Sequence, residues 1–139
     1  MIRQGEAVFV DSGAWIALAL SRDPLHSRAR EQWDDLRAAG AKLHTSVPVL
    51  IETFTFLDRN ADRNVALAWK DAVAKLTTAR ILVCELRDLQ VSWDYFRRND
   101  LHKLSAVDAT SFAIMKRARV RLAFTFDHHF AVVGFRMVG

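Results

Sequence analysis

Four apolar runs in this chain each hold one carboxylate and no other acid: Asp11 in VFVDSGAWIAL, Glu52 in PVLIETFTFL, Asp108 in LSAVDATSFAIM and Asp127 in LAFTFDHHF. Runs of this composition belong in an interior. An ionised carboxylate there costs several kcal/mol unless it is paired or bound to a cation. A fold that scatters the four acids incurs four separate penalties. A fold that brings them to one place, around shared cations, relieves them together.

The segments around the acids read as alternating short strands and helices. Ala7 to Asp11 is a buried strand by its Val and Phe content, Ser12 and Gly13 make a turn, and Ala14 to Leu20 begins a helix. Asp23-Pro24 reads as an N-cap with proline at the first helical position. Leu25, Ala29, Trp33 and Leu36 then recur at helical spacing until Gly40. Leu43 to Thr45 is a short strand, and a helix capped by Thr45 or Ser46 carries Glu52 to about Asp58. Asp62 caps a further helix through Val65, Trp69, Val73 and Leu76. Strands are expected at Arg80–Leu86, Leu122–Phe126 and Val132–Val138, and helices at Asp88–Arg98 and from Ser105 to about Arg119. This alternation implies an α/β fold, a three-layer α/β/α sandwich with a mostly parallel central sheet, in one domain over residues 1–139. Asp11 and Asp127 fall where strands end, which is where open α/β sheets build their sites.

Charge and composition narrow the partner. The 20 basic residues include 15 arginines, and the net charge is +4. With the four embedded acids set aside, twelve acidic residues face those 20, a surface excess of +8. Guanidinium groups suit phosphates, so a basic surface around an acidic pocket is the layout a metal-dependent nuclease requires. The lone Cys84 excludes an intrachain disulfide and suits a reducing cytoplasm. The longest apolar stretch, Ala14–Leu20, is far shorter than the roughly 20 residues that span a bilayer.

Motifs for other chemistry are missing. The histidines, His26, His44, His102 and the pair His128-His129, lack zinc-site spacing, and the pair reads as surface groups or outlying neighbours of the acids. There is no G-x-x-x-x-G-K-S/T, no G-x-G-x-x-G and no G-x-S-x-G. All-oxygen donors point to Mg²⁺ or Mn²⁺. Each acid also has a local alternative to weigh. Ser105 and Asp108 have capping-box spacing, Asp127 could cap the turn through His128 and His129, and Glu52 could pair with an arginine. Asp11 has no basic neighbour between Glu6 and Leu20.

With VFVDSGAWIAL, VPVLIETFTFL, LSAVDATSFAIM and AFTFDHHF in this order and spacing, the chain resembles the PIN-domain ribonucleases, and among them the small toxins of VapC type. The resemblance implies an endoribonuclease whose acids hold one or two Mg²⁺ or Mn²⁺ ions and activate water for in-line attack on RNA. It makes Asp11, Asp108 and Asp127 the principal ligands, Glu52 a ligand directly or through water, and Thr125 a hydroxyl that orients the ligands. It also implies a small antitoxin partner and a homodimer.

Two positions depart from the family pattern. Gly13 stands where a hydroxyl or amide is usual, and Phe126 where many members are polar. They motivate the alternative of a non-catalytic RNA- or protein-binding module. A DNA-directed nuclease on the same acids is a third reading. Arg97, Arg98, Lys103, Lys116, Arg117, Arg119 and Arg121 are the cations expected to meet substrate, with helix-dipole complementation as the other use of Lys116 to Arg121. Trp15, Trp33, Phe54 and Phe56 are expected mainly in the core, with partner binding as their alternative.

Overall fold

Five parallel strands in the order β3-β2-β1-β4-β5 form the sheet of the computed structural model, which describes residues 1–139. The elements follow as β1 (Ala7–Val10), α1 (Ser12–Ala19), α2 (His26–Ala38), β2 (Lys42–Ser46), α3 (Val47–Asn60) and α4 (Arg63–Ala74). The chain continues with β3 (Arg80–Leu82), α5 (Leu86–Tyr95), α6 (Ala106–Ala118), β4 (Leu122–Phe124), α7 (His129–Val132) and β5 (Arg136–Met137). Strand order reverses at β1: β2 and β3 build outward on one side, β4 and β5 on the other. With parallel strands, the general right-handed crossover rule assigns the helices of the two halves to opposite faces, in keeping with the expected three layers.

Local chemistry accounts for the helix starts. Ser46 accepts a hydrogen bond from the Val49 amide, Asp62 from the Val65 amide and Ser105 from the Asp108 amide, each satisfying a donor that a helix N-terminus leaves free. At α5 the Asp88 carboxylate reaches back to the Glu85 amide at 2.8 Å. The core is one cluster of 26 buried apolar residues, with Phe9, Phe112, Phe124 and Phe130 fully buried. Val10 and Phe124 are partners across β1 and β4, so the two central strands end side by side.

Several element boundaries move. Asp23 does not cap α2: its carboxylate accepts from the Leu25 amide in a turn, and the helix begins at His26. The strand expected over Arg80–Leu86 ends at Leu82, because Glu85 and Asp88 start α5 at Leu86. The strand expected over Val132–Val138 is only Arg136–Met137. Phe130 docks on Phe112 at 4.9 Å, and the preceding residues coil into α7 before Gly134 turns the chain at φ +102°.

Candidate active site

The reversal in strand order opens a crevice at the carboxyl ends of β1 and β4, and the acids gather there. Asp11 follows β1 at the N-terminal boundary of α1, where its backbone carbonyl accepts from the Ala14 and Trp15 amides and its own amide donates to the Phe124 carbonyl at 3.0 Å. Asp127 lies three residues beyond β4. Asp108 sits in the first turn of α6, and Glu52 comes over from α3. Asp11 and Asp108 are buried, at 3% and 9% exposure, whereas Glu52 and Asp127 are half-buried at the rim.

Hydroxyl groups hold this arrangement. Thr125, itself buried, donates through Oγ1 to Asp11 Oδ2 at 2.9 Å and accepts from the Asp127 amide at 3.1 Å, joining two acids through one side chain. Ser12 Oγ donates to Glu52 Oε1 at 2.6 Å. Ser12 thus supplies a hydroxyl beside Gly13, where the sequence pattern lacks one. Thr45 braces the end of β1 by donating to the Val10 carbonyl at 3.0 Å while accepting from Trp15 Nε1 at 3.2 Å. Phe126 points away from these bonds, against Phe124 at 6.1 Å and beneath the guanidinium of Arg28 at 5.9 Å.

The electrostatics are those of crowded carboxylates. Burial, reinforced by the charges of Asp11, Asp127 and Glu52, pushes the Asp108 carboxyl up to about 9. Burial likewise raises Asp11, to about 6, against the lowering effect of the Thr125 hydroxyl and the Ser12 backbone amide. Asp127 goes the other way despite its burial: the His129 amide, the Asp108 carboxyl and the His129 ring all stabilise its charge and hold its pKa below the usual range. Of this close pair, Asp108 is thus the carboxyl that favours its protonated form and Asp127 the one that favours its charge. The capping box expected of Asp108 is half formed: Ser105 caps its amide, but its carboxyl turns to Asp127. The turn role of Asp127 is real too, since its Oδ1 accepts from the His129 amide at 2.9 Å.

No lysine or arginine forms a salt bridge with any of the four acids. Asp11 Oδ1 is buried without a hydrogen-bond partner. A buried carboxylate oxygen left bare among three other carboxyl groups fits a cation site, and an all-carboxylate donor set fits a hard divalent ion.

The structure separates the two histidines expected as surface groups or neighbours of the acids: His129 is buried at 7% exposure beside Asp127, whereas the side chain of His128 is 80% exposed. An imidazole two residues after a carboxylate in a tight turn was the available signal. The cations expected to meet substrate are mostly engaged elsewhere. Arg117 binds Asp88 at 2.9 Å and the Val83 carbonyl at 2.9 Å, Arg98 pairs with Asp100 and Arg97 with Asp94. Lys116 and Arg119 stand two to three turns along α6 from Asp108, roughly 12–16 Å away at about 1.5 Å per residue, so they serve the helix C-terminus. Trp15 is core, touching Trp33 at 5.9 Å and Trp69 at 6.1 Å. Phe54 and Trp33 are half-buried, and Phe56 is exposed.

A parallel sheet in this order with carboxylates at its switch point defines a class of small doubly wound α/β domains with an acidic crevice. The PIN domain pattern matches residues 8–136, and the chain belongs to the PIN domain family. Within that family, the chain is 34% identical over 129 residues to the 23S rRNA-specific endonuclease VapC20 of Mycobacterium tuberculosis. The match covers 92% of this chain and 95% of VapC20. The crystal structure of that Sarcin-Ricin loop cleaving toxin superposes with a TM-score of 0.80 at 32% identity, over 92% of this chain and 95% of its own. FitAcB from Neisseria gonorrhoeae (TM-score 0.68) and DNA-bound VapBC from Salmonella typhimurium (0.64) share the fold at 13% identity, each over 95% of this chain and 96% of theirs. The resemblance to the VapC-type ribonuclease toxins read from the sequence agrees with this relationship.

Proposed function

We propose that residues 1–139 form one nuclease unit that hydrolyses RNA with Mg²⁺ or Mn²⁺ held by Asp11, Glu52, Asp108 and Asp127, and that the protein is the toxin of a toxin–antitoxin pair. The observation that carries this reading is the buried, unpartnered Asp11 Oδ1 in a site of four carboxylates with no lysine or arginine bound to them. A divalent cation bound there supplies Lewis-acid polarisation of the scissile phosphate and a water of lowered pKa.

The protein's own groups do the rest. Asp108 would hold the cation as a carboxylate, and because burial and its neighbours raise its pKa, binding would be favoured at higher pH. Thr125 engages Oδ2 of Asp11, so that Oδ1 would be free for the ion, and Ser12 donates to Glu52 at the rim. Arg28 places an exposed cation above Phe126, beside the Thr125–Asp127 segment, where a phosphate backbone could meet it.

Ribosomal RNA is the proposed substrate, on the strength of the 34% identity to an enzyme named for 23S rRNA. The partners are a small antitoxin and a second copy of the chain. Exposed Val47, Ile51, Phe56 and Val83 line a groove beside Glu52 that offers apolar surface for such contacts. No helix is long and apolar enough to cross a membrane, and a cytoplasmic setting is proposed with the lone Cys84 in support.

The test is purified protein on 23S rRNA, on its isolated sarcin–ricin hairpin and on the DNA copy, with Mg²⁺ or Mn²⁺. RNA cleavage that stops on chelation and in Asp11→Asn is expected. Wild type and variant that bind the RNA equally and cut nothing would replace this reading with a non-cleaving module, and cleavage of the DNA copy would make the target DNA. Light scattering should give the mass of two chains, and a monomer would refute the dimer.

A further inference from the structure

One nitrogen stands among the oxygens of the acidic site. Asp108, Asp127 and His129 can each offer one ligand atom such that all three lie within 4.8 Å of one another. His129 Nδ1 is 3.1 Å from Asp127 Oδ1 and 3.3 Å from Oδ2, a hydrogen bond that a cation taking both groups as ligands would replace. The ring is firmly supported. Its own amide donates to Asp127 Oδ1 at 2.9 Å, and the exposed His128 ring covers one side with centroids 4.6 Å apart. The next residue, Phe130, is fully buried edge-on against Phe112.

An imidazole that served only to hold Asp127 would need to meet only Asp127. This one also comes within reach of Asp108, which arrives from a different element, the first turn of α6. Two carboxyl groups and a ring nitrogen converging from α6 and from the β4–α7 turn are the donors of one shared position. The bare Asp11 Oδ1 is an independent sign that the surrounding site takes a cation.

We infer that His129 is a nitrogen ligand of the cation held by these acids, and that it biases the site toward Mn²⁺ over Mg²⁺. The inference rests on the reading of the four acids as a divalent-cation site. Mg²⁺ sheds water reluctantly and takes oxygen donors, whereas imidazole binds borderline transition ions more readily, so one nitrogen shifts the preference without changing the carboxylates.

Mn²⁺ alone is the probe, on the full chain, read by electron spin-echo envelope modulation with histidine at natural abundance and ¹⁵N-labelled. A directly bound imidazole nitrogen should modulate the wild-type signal, change with the label, persist in His128→Ala and vanish in His129→Gln. Loss of an outer partner of a metal ligand already lowers affinity ~10–100-fold, so calorimetry of His129→Gln should show at least about a tenfold loss for Mn²⁺ and a smaller one for Mg²⁺. Mn²⁺ that binds wild type, is lost in Asp11→Asn and shows no histidine coupling overturns the inference and leaves the acid site standing. Coupling that disappears in His128→Ala instead also overturns it. Failure of millimolar Mn²⁺ to bind at all removes both readings. A wild-type spectrum without histidine coupling overturns the inference even if a variant folds poorly.

Discussion

Replacing Asp108 with asparagine should stabilise the metal-free protein, and by more as the pH rises. The folded protein holds the Asp108 proton up to about pH 9, while the unfolded chain loses it near the ordinary value of 3.8. Across that window the native state binds the extra proton, so wild-type stability falls with increasing pH. One proton per pH unit corresponds to about 1.4 kcal/mol, so this group sets a ceiling of ~4 kcal/mol on the fall between pH 5 and pH 8. Asp11, raised to about 6, adds roughly 1 kcal/mol between pH 5 and 6 in wild type and variant alike. Side-chain rotation and water entry relieve part of the repulsion, so the gap between Asp108→Asn and wild type should widen by about 2 kcal/mol from pH 5 to pH 8. Urea unfolding of chelated protein at both pH values measures this directly. Saturating Mn²⁺ should reverse the order, since ligand at 100 times Kd adds about 2.7 kcal/mol to the protein that binds it. Parallel pH profiles for the two proteins would refute the claim that burial and the neighbouring carboxylates hold Asp108 protonated.

Thr125→Val keeps the shape but removes the Asp11 hydrogen bond, costing about 2 kcal/mol at pH 8 and moving the Asp11 carboxyl further up from about 6. Carboxyl ¹³C titration checks the second part, and Thr125→Ser should restore both. Arg117→Met strips the buried Asp88 of its guanidinium and should cost ~3–5 kcal/mol by urea unfolding, with partial recovery when Asp88→Asn is added. Arg117 also holds the Asp88 pKa below its ordinary value, a stabilisation present above pH ~4 and lost below it, so the variant should show a flatter acid limb. Gly13→Ala should raise stability by about 0.5–1 kcal/mol, because the position is helical and an added methyl meets nothing closer than Asp11 Oδ2 at 4.0 Å; a lowered urea midpoint would contradict this.

Much of the fold was legible in the residue order, and so were the acids that line the candidate site. Asp11 and Glu52 stood out because their neighbours offer no local partner, and both lie in the crevice. The helix starts at Ser46, Asp62 and Ser105 were readable because capping is a contact over three residues. Boundaries failed where a distant contact overrode local preference. Val132 to Val138 has strand composition, yet Phe130 packing on Phe112 pulls the chain into α7 first. The α6 cations looked available to substrate because sequence cannot show that Arg117 reaches Asp88, 29 residues earlier.

By itself the sequence determines the alternation of strands and helices, the apolar runs that must be interior, and the four acids that cannot remain there unpartnered. Those are consequences of hydrophobicity and neighbour-to-neighbour chemistry. Tertiary structure alone decided that β4 pairs with β1, that Thr125 meets Asp11 across 114 residues, and that His129 is buried at the acids while His128 faces solvent. Strand pairing and side-chain convergence depend on contacts between segments far apart in the chain. The free energy of a carboxylate depends on what those segments bring beside it.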